Sequence, residues 1–177
     1  MTDWTTPTHV VAGTEIDAAK HNDEVVDNLK HLHEAKLARL GFLASLSIPD
    51  SEWTPIPWDF EVYDTMDAWA DTPYPERIYP NPAGFYRVSA GFTFPLSAAG
   101  GIGSLRLRVW ADATLTTVTQ TTSVLSTTRS TSRNLSAIVE MDGIGDYLIA
   151  EVYQDSSGSL SSVALAPHSF DLEWIGA

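Results

Sequence analysis

No cysteine occurs among the 177 residues, which removes disulfide staples, thiolate metal sites and cysteine nucleophiles together. Lysine is nearly absent too, Lys20, Lys30 and Lys36 being the whole supply. With a formal net charge of −13, the chain lacks the clustered cations that counterion release from a phosphate backbone requires, so nucleic acid is excluded as a partner. No apolar run approaches the roughly 18 residues of a membrane-spanning helix. The opening Met1-Thr2-Asp3-Trp4 has neither the basic nor the apolar region of a signal peptide. The expectation is a soluble protein made in the cytoplasm, with no membrane partner. Its acidic excess reads as a solvated face rather than a specific cation site.

What is present suffices for a packed core, at 44% hydrophobic and 10% aromatic residues, and the length fits one domain plus an appendage. The chain is organised around residues 83–95. There Tyr86, Val88, Ala90, Phe92 and Phe94 alternate with Arg87, Ser89, Gly91 and Thr93, the period of a half-buried strand. Gly84 leads in and Pro95 ends it, because proline has no N–H for a ladder. Further strands follow at sandwich-like spacing. Leu105, Leu107 and Val109 alternate with Arg106, Arg108 and Trp110, and residues 114–131 are rich in threonine, which suits exposed strands. Residues 135–141 and 147–153 are strands joined by a turn at 142–146, the second with Leu148, Ala150 and Val152 on its core face. Asp155 and Gly158 mark a hairpin turn, and Phe170, Leu172 and Trp174 alternate in a closing strand.

The N-terminal part has a different grammar. Residues 1–14 carry Trp4, Pro7, Val10 and Val11 with no helical period and no local core to enter, as in an arm that docks elsewhere. Thr14, Glu15 and Asp17 then have the spacing of a capping box with acids in the first turn, and Gly41 is a natural stop. Between them Ala18, Val25, Val26, Leu29, Leu32, Leu40 and Leu43 share one face of a helix. The heptad seam meets Lys36 and Arg39, which confines self-association to the stretch from Ala18 to Leu32, with Val25, Leu29 and Leu32 as its seam. Pro49, Pro55 and Pro57 among serine and aspartate indicate a linker. The expected organisation is a docking arm and one α-helix over residues 1–44, a linker over 45–58, and an antiparallel, mainly β sandwich over 59–177.

Chemistry is sparse. His31 and His33 are two apart, which on a helix sends them to different faces, while His9 and His168 stand far apart in sequence. The glycines of residues 100–104 lack the lysine and helix of a phosphate loop. Pairs such as Asp142 and Asp146, or Asp171 and Glu173, read as exposed turn and strand acids. No active site, metal site or cofactor is expected. The aromatic surplus is more informative: Trp53, Trp58, Trp69 and Trp110 exceed what a small sandwich core holds, and become candidate surface or interface aromatics for protein or sugar.

Two resemblances attach to these residues. Pro82-Ala83-Gly84-Phe85-Tyr86-Arg87-Val88-Ser89-Ala90, the turn Gly145-Asp146-Tyr147 and the closing Ser169-Phe170-Asp171-Leu172-Glu173-Trp174 resemble the jelly-roll domains of the C1q and tumour-necrosis-factor family over residues 53–175. That resemblance implies two packed antiparallel sheets and a compact homotrimer. Trp4-Thr5-Thr6-Pro7, the run from Val11 to Ile16, His21-Asn22, and Asp27-Asn28-Leu29 with Leu32 resemble the leading segment of small structural proteins of tailed bacteriophages. This implies attachment to the particle through Trp4, Pro7, Val10 and Val11. Together they imply a non-enzymatic virion protein, with capsid or tail proteins as partners and the jelly roll serving as decoration or fibre. The alternative is a module that binds a host-surface glycan or protein.

Overall fold

The computed structural model describes residue 25, residues 36–162 and residues 168–176. The chain divides into two units, Met1–Ala35 and Lys36–Ala177, and the second is an antiparallel β-sandwich. Its strands in order are β1 (Leu37–Gly41), β2 (Ser47–Ile48), β3 (Thr54–Pro55), β4 (Phe60–Asp64), β5 (Gly84–Phe94), β6 (Ile102–Ala111), β7 (Thr114–Val124), β8 (Thr131–Met141), β9 (Tyr147–Gln154), β10 (Leu160–Ser161) and β11 (Ser169–Gly176). One sheet runs β4-β1-β11-β5-β8 and the other β3-β9-β6-β7, with β10 and β2 forming a separate pair.

The side chains that alternate in the sequence are the ones that meet between the sheets. Tyr86, Val88, Ala90, Phe92 and Phe94 of β5 face Leu105 and Leu107 of β6 and Leu148, Ala150 and Val152 of β9 in a single buried cluster. Trp58 and Phe170 meet at 5.6 Å, and Phe92 and Phe94 edge to face at 5.0 Å. Each such buried side chain contributes roughly 1.5–3 kcal/mol. The Tyr86 hydroxyl donates to the Pro82 carbonyl, and burial pushes its phenol pKa well up, so it stays neutral. His168 is buried beside Phe92 at 4.3 Å, and its Nδ1 accepts the Thr93 N–H at 3.2 Å. It is a core histidine.

Four sequence expectations change. The helix was expected to run to Gly41 with Leu40 and Leu43 on its apolar face; instead residues 37–41 form β1, paired with β11 on one side and β4 on the other. Leu40 alone fits the expected helix face, whereas Ala38 and Leu40, two apart, point inward together as in a strand, and two flanking ladders hold it. Gly41 is not a helix stop; a Cβ there would lie 2.1 Å from Cζ of Phe60, whose ring crosses the strand. The segment 45–58 is no linker, since β2 and β3 lie in it and Ile48, Ile56 and Trp58 are buried. Pro55 is tolerated because β3 is an edge strand. The sandwich therefore begins at β1, not at residue 59. Finally, the turn after β9 makes no hairpin. The buried Gln154 amide donates to the Ile48 and Gly158 carbonyls and accepts from Ser156, which directs the chain over β2, where Leu160 pairs with Ile48.

Candidate binding surfaces

Trp58, a candidate surface aromatic in the sequence, is 1% exposed and belongs to the core. That correction follows from its place beside Phe170, where the inward face of β11 needs a large partner. The other three candidates are partly exposed, and two of them lie on one face. Alternation sends Arg106, Arg108 and Trp110 of β6 outward, opposite Glu151, Ile149 and Tyr147 of β9. Glu151 is almost fully buried although it points away from the core, because Arg106 bonds it at 2.6 Å and Arg108 lies at 3.6 Å. Trp53 covers Arg106 at 3.9 Å and packs on Tyr153. At the far end Trp110 stacks on Tyr147 with rings 5.7 Å apart and 7° from parallel. Tyr147 also touches Tyr79 at 5.5 Å and carries the Arg77 guanidinium at 4.7 Å.

Trp69 stands in a loop that continues this lattice. The Asp64 carboxylate accepts the N–H groups of Met66, Ala68 and Trp69 at 2.9, 2.6 and 2.9 Å, which fixes the chain as it leaves β4. A bridge between Trp69 and Ile78 closes residues 69–78 into a hairpin, and a second from Ile78 to Leu148 ties it to β9. The Trp69 indole donates to the Pro75 carbonyl at 2.9 Å, and Arg77 stacks on Tyr74 at 3.8 Å. Trp69, Tyr74 and Tyr79 with Arg77, Asp67 and Thr72 enclose an open cavity of about 170 Å³. Tyr147, Arg77 and Glu151 carry much of this surface, and the sequence reading missed their role. The signal for Tyr147 and Glu151 was the outward register of β9, where they and Tyr153 alternate with the core residues, while Arg77 had none.

The outward face of the five-stranded sheet is of another kind. Arg39 pairs with Asp171, and Arg87 pairs with Glu173 at 2.7 Å, so each of these acids is engaged by a guanidinium. Beside them Phe85, Ile138 and Ile175 are 42%, 62% and 41% exposed, and the register places Phe85 next to Gly176 and opposite Glu140, and Ile138 opposite Arg87. Asp142 and Asp146 lie with Asp112 and Glu140 around a cavity of about 240 Å³. There burial, with the charges of Asp142 and Asp112, holds the Asp146 carboxyl above the usual carboxylate range. Among the described residues no group of three or more His, Cys, Asp or Glu is arranged to hold a metal ion, and no helix is long and apolar enough to cross a membrane. Of the other predicted site residues, Val25 is exposed. Trp4, Pro7, Val10, Val11, Leu29 and Leu32 lie outside the described residues.

No family model matches this sequence, and no curated protein sequence matches it. The fold has solved counterparts. Murine APRIL superposes with a TM-score of 0.62 at 9% identity, over 80% of this chain and 100% of its own. The Eiger TNF of S. frugiperda gives 0.61 at 13% identity over 80% of this chain and 93% of its own, and the globular domain of zebrafish complement 1qA gives 0.59 at 15% identity over 80% and 98%. The second unit therefore has the jelly roll shared by TNF and C1q domains.

Proposed function

We propose that this chain is a non-enzymatic homotrimer of a tailed-phage virion, anchored through Trp4, Pro7, Val10 and Val11 and displaying its jelly roll as capsid decoration or as a head or tail fibre. The observation that carries the trimer is the outward face of the five-stranded sheet, where Phe85, Ile138 and Ile175 remain exposed beside two ion pairs. An apolar patch rimmed by charge on an otherwise well-packed sandwich is what an association face looks like. The virion reading is supported by the likeness of the N-terminal segment to phage attachment segments, with Val25, Leu29 and Leu32 available as a helix seam.

Two measurements test the two halves. Native mass spectrometry of the full chain should report three copies, and a monomer at micromolar concentration removes the trimer. Co-sedimentation with particles lacking the native copy should be lost on deleting residues 1–14. Each large apolar side chain docked on the particle contributes roughly 1.5–3 kcal/mol, repeated in every copy. Undiminished binding by the truncated form makes the sandwich itself the anchor. A second reading, attachment to a host-surface molecule, is favoured by the aromatic hairpin of residues 69–78, whose Trp69, Tyr74 and Tyr79 line an open cavity.

A further inference from the structure

The geometry points to the cavity of the 69–78 hairpin as a binding site for one neutral pyranose ring of a surface glycan. It gives the attachment reading a ligand class, and it can fail while trimer and virion assembly stand. About 170 Å³ of space is too small for a drug-sized ligand, whose sites run from about 300 Å³ upward. It suits a single ring or a single side chain.

The lining chooses between these. Trp69, Tyr74 and Tyr79 supply aromatic faces on which the C–H side of a sugar ring can lie, burying apolar area without demanding a hydrogen bond there. At the same cavity Asp67 offers acceptors, Arg77 donors and Thr72 a hydroxyl, the mixture that vicinal hydroxyls use. An apolar peptide side chain would leave that polar set without use. A charged one of either sign would meet a like charge there, Arg77 for a cation and Asp67 for an anion.

The site is also fixed before any ligand arrives. Asp64 holds three N–H groups at the start of the loop, Trp69 donates to Pro75, and Arg77 stacks on both Tyr74 and Tyr147. Its planar fork is thereby held in one plane, and little rotamer freedom remains to be lost on binding. Tyr74 is nonetheless 48% exposed, so its ring is accessible to a sugar from solvent.

The test is ligand-observed saturation-transfer NMR on the full chain, with the methyl glycosides of glucose, galactose, mannose, rhamnose and N-acetylglucosamine as probes and the methyl glycoside of glucuronic acid as the charged comparison. At least one neutral glycoside should receive saturation at millimolar concentration, most strongly on its ring C–H protons. Tyr74→Ala should weaken it about tenfold or more, Tyr74→Phe should retain it, and Trp53→Ala, at the other end of the lattice, should leave it unchanged. Silence from every neutral glycoside overturns the proposal. So does binding that Tyr74→Ala leaves intact, or a preference for the glucuronide. Circular dichroism showing an unaltered sheet signal keeps a loss in Tyr74→Ala attributable to the site.

Discussion

The two sheets of this sandwich turn different chemistries outward, and the difference separates a face that is complete from one that is not. On the four-stranded sheet, Glu151 sits between Arg106 and Arg108, Arg106 lies under Trp53, and Tyr147 is covered by Trp110 and Arg77. On the β9 and β6 strands of that sheet, the outward Tyr147, Glu151, Arg106 and Trp110 are all engaged by neighbours in the same chain. On the five-stranded sheet the charges pair across strands, Arg39 with Asp171 and Arg87 with Glu173, but Phe85, Ile138 and Ile175 stay partly exposed among the described residues. The first arrangement builds a rigid surface able to present a shallow cavity. The second leaves apolar area exposed between ion pairs, and the proposed trimer rests on it.

The largest effect is expected where that contrast is broken outright. Replacing both Phe85 and Ile138 by aspartate puts two charges into the apolar patch without touching the core. Both side chains are already exposed, so each sandwich should keep its sheet spectrum. A charge desolvated in an interface without a partner is strongly unfavourable, and assembly should fall to monomer in light scattering. If the double variant remains trimeric, the five-stranded face is not the interface, and the outward tryptophans of the other sheet become the candidates.

The next effect belongs to the complete face. Glu151→Ala leaves two guanidinium groups facing each other across an emptied position, and Arg106 and Arg108 retain only 16% and 21% of their side-chain exposure. A cost of about 1–3 kcal/mol in urea unfolding is expected. A variant as stable as the parent would mean that solvent replaces Glu151 without loss, and that the lattice is decoration rather than structure.

How far the sequence foretold these faces depends on whether one period or two competed. The β5, β6 and β9 strands were readable because their inward residues alternate without a break, and no helical period fits Tyr86, Val88, Ala90, Phe92 and Phe94. Residues 37–41 were misread because Leu40 suits a helix face with Leu43 as readily as the inward strand face it shares with Ala38; only the partners β11 and β4, distant in sequence, choose between them. Trp58 was misplaced for a related reason. Its neighbours Pro55 and Pro57 announce a turn, yet an edge strand accommodates proline, and nothing local reveals that Phe170 awaits it. The cavity was half visible, since Trp69 stood out, but Arg77 and Tyr147 acquire their roles only through the bridge from Ile78 to Leu148.

A smaller effect is expected at the ion pairs of the open face. Arg87 and Glu173 are 60% and 44% exposed, so Arg87→Ala should change stability by no more than about 0–1 kcal/mol. A loss of trimer in this variant, with the monomer's stability unchanged, would show the pair acting across the interface rather than within the sheet.

The smallest effect lies where the two sheets meet, at the cavity joining the β6–β7 turn to the end of β8. Asp112 comes from the first, Glu140 and Asp142 from the second, and Asp146 from the turn before β9. Burial is the main cause that raises the Asp146 carboxyl, the neighbouring charges of Asp142 and Asp112 add to it, and the Asp142 N–H at 3.2 Å opposes them. A carboxyl whose folded pKa is raised contributes stability in its protonated form, present below the unfolded value of about 3.9 and lost as pH rises through the folded value. At neutral pH its ionised form therefore opposes the fold. Asp146→Asn removes that charge and keeps an oxygen able to accept the Asp142 N–H. The variant should melt slightly above the parent at neutral pH, and the gap should close below the carboxylate range, where Asp146 is itself neutral. A gap that persists in acid would trace the gain to packing, while a variant that melts lower at neutral pH would mean the Asp146 carboxylate is held by a favourable contact at this junction.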